Sequence, residues 1–161
     1  DQFLVPYFIA SHPGSGLEEM IELALFLKKN GHRPRQVQDF IPAPMDIATC
    51  IFHTGIDPET MKPVFVATRP SERALQRALL QFFLPENYYD VKKALKLAGR
   101  EDLIGNAPEC LIPASPSRQA RDARDRKISE KEQRDAEGTP SKEDRRTRKG
   151  YRWAARKGRR R

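Results

Sequence analysis

The chain changes character at Ala114, and this break decides how much of it can fold around a core. From Ala114 to Arg161 stand 18 Lys/Arg and 8 Asp/Glu, a net +10, whereas residues 1–113 carry 12 basic and 14 acidic groups, a net −2. Only Ile128, Tyr151 and Trp153 bring bulky apolar area to the second segment. Fixing a residue's backbone costs about 1–2 kcal/mol, which so polar a segment does not offset. Residues 114–161 therefore read as a disordered basic tail, with helical stretches flickering between Arg118 and Ala136. The overall charge of +8 belongs to this tail. A basic chain average thus does not make the folded part a nucleic-acid binder.

Within 1–113, the order of elements starts with strand, helix, strand. Residues 3–10 are bulky and apolar with little alternation, which suits a strand buried on both faces. Ser15 and Glu18 have capping-box spacing, and the helix should run from Gly16 to Asn30. Leu17, Ile21, Ala24 and Leu27 mark its apolar face, with Met20 and Leu23 beside it. Lys28 and Lys29 suit its C-terminal dipole, and Gly31 is the stop. Residues 36–41 form the second strand, ended by Pro42 and Pro44. A right-handed crossover would make the two strands parallel.

Residues 46–54 are either a short helix or an extended piece, and Gly55-Ile56-Asp57-Pro58 is a turn. Residues 63–67 read as a short strand and 71–83 as a helix with Ala74, Leu75, Ala78, Leu79, Phe82 and Phe83 inward. Asn87 caps a further helix whose face is Tyr88, Val91, Ala94, Leu95 and Ala98. Leu103–Gly105 and Cys110–Pro113 close the ordered part.

Several sites can be weighed on residue type alone. The loop Ser11-His12-Pro13-Gly14-Ser15-Gly16 joins a strand to a helix and could cradle a phosphate. Against this, no lysine follows as in G-x-x-x-x-G-K-[ST], and Glu18 and Glu19 already complement the helix start. His12, Cys50 and His53 offer too few ligands for zinc. Two distant cysteines, Cys50 and Cys110, cannot hold an iron–sulfur cluster and match no disulfide spacing, which fits a reduced cytoplasmic setting. Ser11, His12 and Asp39 lack a nucleophile elbow, and neighbouring strand residues point to opposite faces. The apolar runs are too short to span a membrane. Residues 145–161 hold ten Lys/Arg and no acid, with Tyr151 and Trp153 interleaved, a composition suited to weak non-specific RNA binding.

The blocks SHPGSGLEE, QVQDFIPAP, the TG-DP of Thr54–Pro58, Met61–Val64, Gln76–Gln81, Ala98–Gly105 and Cys110–Pro113 together resemble the YgiQ-type radical SAM proteins. The resemblance covers nearly all of 1–113, and the tail matches only in being basic. It implies an α/β fold: a C-terminal βαβ piece of a partial (β/α) barrel over residues 1–54, a small mostly helical extension over 55–113, and the disordered basic tail over 114–161. It further implies a 4Fe–4S cluster and S-adenosylmethionine, which react to give a 5′-deoxyadenosyl radical. The cluster's C-x-x-x-C-x-x-C loop is absent from this chain. The cofactors would then belong to the whole enzyme, the partner would be the N-terminal remainder of the same polypeptide, and this chain alone would be inactive. Barrel chemistry sits at the C-terminal ends of strands. The residues there are Ser11 and His12 on one strand and Gln38 and Asp39 on the next, and the resemblance makes them the cofactor contacts. Alternation turns only one of each adjacent pair inward, and the sequence leaves open which. The alternative is a small basic RNA- or ribosome-associated protein acting through its tail.

Overall fold

The computed structural model describes residues 6–137, which are mixed α/β. Strands β1 (Phe8–Ala10) and β2 (Val37–Asp39) are joined by helix α1 (Leu17–Lys29). They pair in parallel with Phe8 opposite Val37 and Ala10 opposite Asp39, as the strand–helix–strand order predicts. Helices α2 (Ile47–Thr54), α3 (Pro70–Leu80), α4 (Tyr88–Leu97) and α5 (Arg118–Glu137) follow. The chain divides into two compact units after Arg124.

In the first unit α3 packs against α1, α4 and both strands. Met20, Ile21, Ala24 and Leu27 of α1 are buried at helical spacing, as are Tyr88, Val91, Ala94 and Leu95 of α4. They share one core with Ala10, Leu75, Leu79, Leu80, Leu103 and Ile112. Lys28 is half-buried because its ammonium turns to the carbonyls of Pro108, at 2.9 Å, and of Cys110.

The structure corrects several sequence expectations. Gly16, not Ser15, caps α1: its N–H donates to Glu19 Oε2 at 2.8 Å, and a glycine has no side chain to return the bond. Ser15 is used in a turn, its N–H donating to His12 O at 3.0 Å. Asn87 holds the cap position of α4 without capping it, since its amide donates to Gln81 O at 3.2 Å. Residues 63–67 form no strand; Pro63 makes one isolated bridge to Ile56. Residues 46–54 resolve as helix α2, with Asp46 Oδ1 accepting from Ala48 N–H at 3.1 Å.

The segment 118–137, expected to flicker, is helix α5. Ala120 and Ala123 are buried, and the Arg124 guanidinium lies 4.5 Å from the centre of the Tyr89 ring. Two alanines and an arginine guanidinium over a tyrosine ring supply contact that counting bulky residues missed. The described part of the second unit is the rest of this helix. The run 145–161 and the first residues of the predicted 3–10 strand lie outside the described residues. Among the described residues no helix is long and apolar enough to cross a membrane.

Candidate functional site

At the C-terminal end of β1 the chain turns sharply. Ser11 adopts φ +61, a left-handed conformation uncommon for a residue with a side chain. Ser11 is buried, while His12 is exposed and rests edge-on against Phe40, ring centres 5.1 Å apart. The register brings Phe40, the residue after β2, beside this turn: its N–H donates to Ala10 O at 2.8 Å.

Helix α3 supplies the polar contacts. Ser11 N–H donates to Gln76 Oε1 at 2.7 Å, and Gln76 Nε2 donates to Ser15 O at 2.8 Å. One fully buried side chain thus closes both ends of the loop. One residue on, Arg77 pairs with Asp39. Further along the helix, Gln81 donates to Arg35 O at 2.8 Å, at the other end of β2. So α3 runs from the C-terminal ends of the strands toward their N-terminal ends. Arg73, one turn before Gln76 and Arg77, belongs to the strand-end side. Ser11 Oγ, Asp39 Oδ1 and Arg73 Nε are buried and lack a hydrogen-bond partner among the described residues. Buried polar atoms are ordinarily paired, and these three are the exceptions among the described residues.

Two of the sequence blocks meet here. Gly14 N–H donates to Phe65 O at 2.8 Å, which lays the 55–67 segment beside the SHPG loop. That segment is stiffened by Asp57, which accepts from Glu59 N–H at 3.0 Å and from the Thr60 hydroxyl at 2.6 Å. These bonds hold the Asp57 carboxyl below its ordinary pKa, the Thr60 hydroxyl contributing most. Val64 N–H donates to Gly55 O at 2.8 Å, closing the turn.

Of the four residues singled out from sequence, Ser11 and Asp39 both engage α3, through Gln76 and Arg77. His12 stays at the exposed rim, its Nδ1 2.9 Å from Pro13 O. Gln38 is turned away: it pairs opposite Ile9 and accepts from the Tyr7 hydroxyl, on the face of the sheet that β1 and β2 do not share with Ala10 and Asp39. Gln76, Arg77 and Arg73 were missed as site residues. The available signal was Gln76, a polar residue three positions before Leu79 and four before Leu80 on an otherwise apolar helix face. His12 and His53 do not form a metal pair: Phe40 and Phe52 stand between them in a run of ring contacts. Among the described residues no three His, Cys, Asp or Glu group to hold a metal.

Residues 35–160 match the family described as a domain of unknown function, DUF3362. A UPF0313 protein of Clostridium botulinum (strain 657 / Type Ba4) is 55% identical over 113 residues, which are 70% of this chain and 18% of that relative. A UPF0313 protein of Clostridium perfringens (strain 13 / Type A) is 53% identical over 111 residues, 69% of this chain and 17% of the relative. The chain therefore spans less than a fifth of the length of these relatives. No solved structure matches it. Since the matched residues take in β2, the Thr54–Pro58 turn, α3 with its Gln76 and Arg77, and all of α5, the chain belongs to the DUF3362 family, and its sequence is that of a segment found in UPF0313 proteins.

Proposed function

We propose that this chain is the C-terminal part of a radical SAM enzyme of the YgiQ type. In this reading residues 1–54 complete its partial (β/α) barrel, and 55–113 form an extension that covers the active site. The observation that carries the reading is the parallel β1–α1–β2 unit with buried, unpartnered Ser11 Oγ and Asp39 Oδ1 at the C-terminal ends of its strands. That is the end at which barrel enzymes hold their ligands.

The residues here do not fit an iron–sulfur cluster. Cys50 is exposed, the Cys110 thiol lies 3.6 Å from Asp102 O, and no further thiolate exists. The cluster's ligands would come from the N-terminal remainder of the polypeptide. In this reading Ser11 Oγ and Asp39 Oδ1 would meet the hydroxyls or ammonium of S-adenosylmethionine, with His12 at the rim; both atoms are buried here, so binding would require the strand ends to open. When bound, that cofactor supplies one-electron cleavage of a carbon–sulfur bond. Gln76 then holds the Ser11–Ser15 loop in place, and Arg77 orients the Asp39 carboxylate.

Anaerobic iron–sulfide reconstitution tests the reading. The 161-residue chain alone should gain no 4Fe–4S absorbance. The whole polypeptide should gain it and release 5′-deoxyadenosine from S-adenosylmethionine under reduction, with Asp39→Asn weakening cofactor binding. A stoichiometric cluster on this chain alone, or a whole polypeptide that neither assembles one nor cleaves the cofactor, overturns it.

A second reading rests on the ten Lys/Arg and no acid of residues 145–161, with Tyr151 and Trp153. There the tail binds RNA weakly through phosphates and stacking. Deleting 138–161 should abolish RNA affinity and leave the barrel role intact; RNA affinity that survives the deletion excludes the tail as its source.

A further inference from the structure

The end of the sheet opposite the candidate site has a cavity of its own. It measures about 510 Å³, and its lining includes Tyr7, His32, Arg33, Pro34, Arg35 and Gln36. That volume lies in the ordinary range for small-ligand pockets, roughly 300–1,000 Å³.

The loop that lines it is preformed. Gly31, at φ +69, ends α1: its N–H donates to Lys28 O at 3.1 Å, and His32 N–H donates to Leu27 O at 2.9 Å. On the far side Gln81 holds the Arg35 carbonyl, and Pro34 is buried between them. With the backbone fixed on both sides of Pro34, Arg33 and Arg35 are exposed. Arg33 reaches over the Phe83 ring, 6.0 Å from its centre. Tyr7 is held through its hydroxyl by Gln38 and is 58% exposed.

No ion pair involves His32, Arg33 or Arg35 among the described residues, whereas Arg69, Arg77 and Arg100 each face an acid. No acidic residue occurs between Glu22 and Asp39. The α1 dipole does not account for the two arginines. Lys28 and Lys29 already occupy its last turn, and the loop N–H groups take up the Leu27 and Lys28 carbonyls. Two arginines and an exposed tyrosine lining one cavity suit a phosphate attached to a flat organic body.

We propose that this cavity binds a small phosphomonoester with an aromatic body, of the size of a nucleoside monophosphate. Arg33 and Arg35 take the phosphate and Tyr7 stacks on the body. The proposal does not use the radical SAM chemistry, and it requires that whatever covers the Ile9 face leave Tyr7 open.

Residue-resolved NMR on the intact 161-residue chain tests it, following the Arg33 and Arg35 side-chain N–H groups and the Gly31 and His32 amides. The probes are adenosine monophosphate, adenosine and inorganic phosphate at low salt. Adenosine monophosphate should give saturable shifts at these groups. Each of the other two should bind about tenfold more weakly or worse, because each lacks one half of the recognition. Arg33→Gln with Arg35→Gln should weaken adenosine monophosphate about tenfold while leaving the melting temperature in place. Where the double variant does not fold, Arg35→Ala alone decides, with about a threefold loss or more expected. Shifts confined to residues 145–161, adenosine binding as well as its monophosphate, or arginine variants with undiminished affinity each overturn the proposal.

Discussion

Gln76 does with one side chain what a third strand would do elsewhere: it satisfies the backbone at both ends of a loop. Its carboxamide accepts from Ser11 N–H and donates to Ser15 O, and it is 1% exposed. Gln76→Leu keeps the volume and removes the partner of the buried Ser11 N–H and of the partly buried Ser15 carbonyl. Each buried unsatisfied group costs roughly 1–3 kcal/mol, so the loss should be about 2–4 kcal/mol, read as a lower urea midpoint with an unchanged slope. Gly14 is the companion case. Its φ of +88 suits glycine, while an added Cβ would meet Val64 at an ordinary 3.7 Å. Gly14→Ala should therefore cost only the left-handed conformation, about 1–2 kcal/mol. A much larger loss would mean that the loop cannot keep its bond to Phe65. Asp57 adds a pH signature. Its carboxyl is depressed in the fold by the Thr60 and Glu59 donors. Such a group favours the folded state above its unfolded pKa, and that contribution disappears as pH falls through the folded value. Thermal melts should show Asp57→Asn less stable than the parent near neutrality and the difference closing below about pH 4.

At the scale of elements, what the sequence revealed followed periodicity. The faces of α1 and α4 were legible because Ile21, Ala24, Leu27 and Tyr88, Val91, Leu95 repeat at helical spacing in polar surroundings. The parallel pairing was legible because one helix separates two short strands. The cap moved from Ser15 to Gly16 because His12 O captured the Ser15 N–H in a turn. The segment 63–67 looked like a strand by its β-branched residues. Val64 and Phe65 instead spend their backbone groups on Gly55 and Gly14, so they serve a turn and a loop rather than a ladder. Gln76 and Arg77 escaped notice because their partners lie 65 and 38 residues away in the chain. Helix α5 was missed because its packing rests on Ala120 and Ala123, whose small area weighs little in any count of bulky residues. It matters for design of a shorter chain. Removing residues from Ala114 onward deletes two buried alanines and the Ala114 carbonyl that accepts from the Tyr88 hydroxyl at 3.1 Å. That loss should be about 1–2 kcal/mol, or roughly 4–8 °C in melting temperature. Ending the chain after Glu137 should leave the melt unchanged.

At the scale of the whole molecule, the described residues cover the two-stranded sheet on one face only. Helix α3 packs on the side of Ala10 and Asp39, while Ile9 on the other face is 43% exposed beside Gln38, and Tyr7 flanks it. Parallel sheets are ordinarily buried on both faces, and a two-stranded sheet is weak by itself. In the proposed enzyme, preceding parts of the polypeptide would cover this face and extend the sheet. Without them, the open strand edges and apolar groups are available to a second copy. We expect the 161-residue chain to self-associate with rising concentration in sedimentation velocity. Ile9→Glu should shift it toward monomer without lowering its melting temperature, since Ile9 contributes nothing to the core on the opposite face. Supplying the preceding part of the polypeptide should have the same effect as the charge. A concentration-independent monomer would show instead that this face needs no cover.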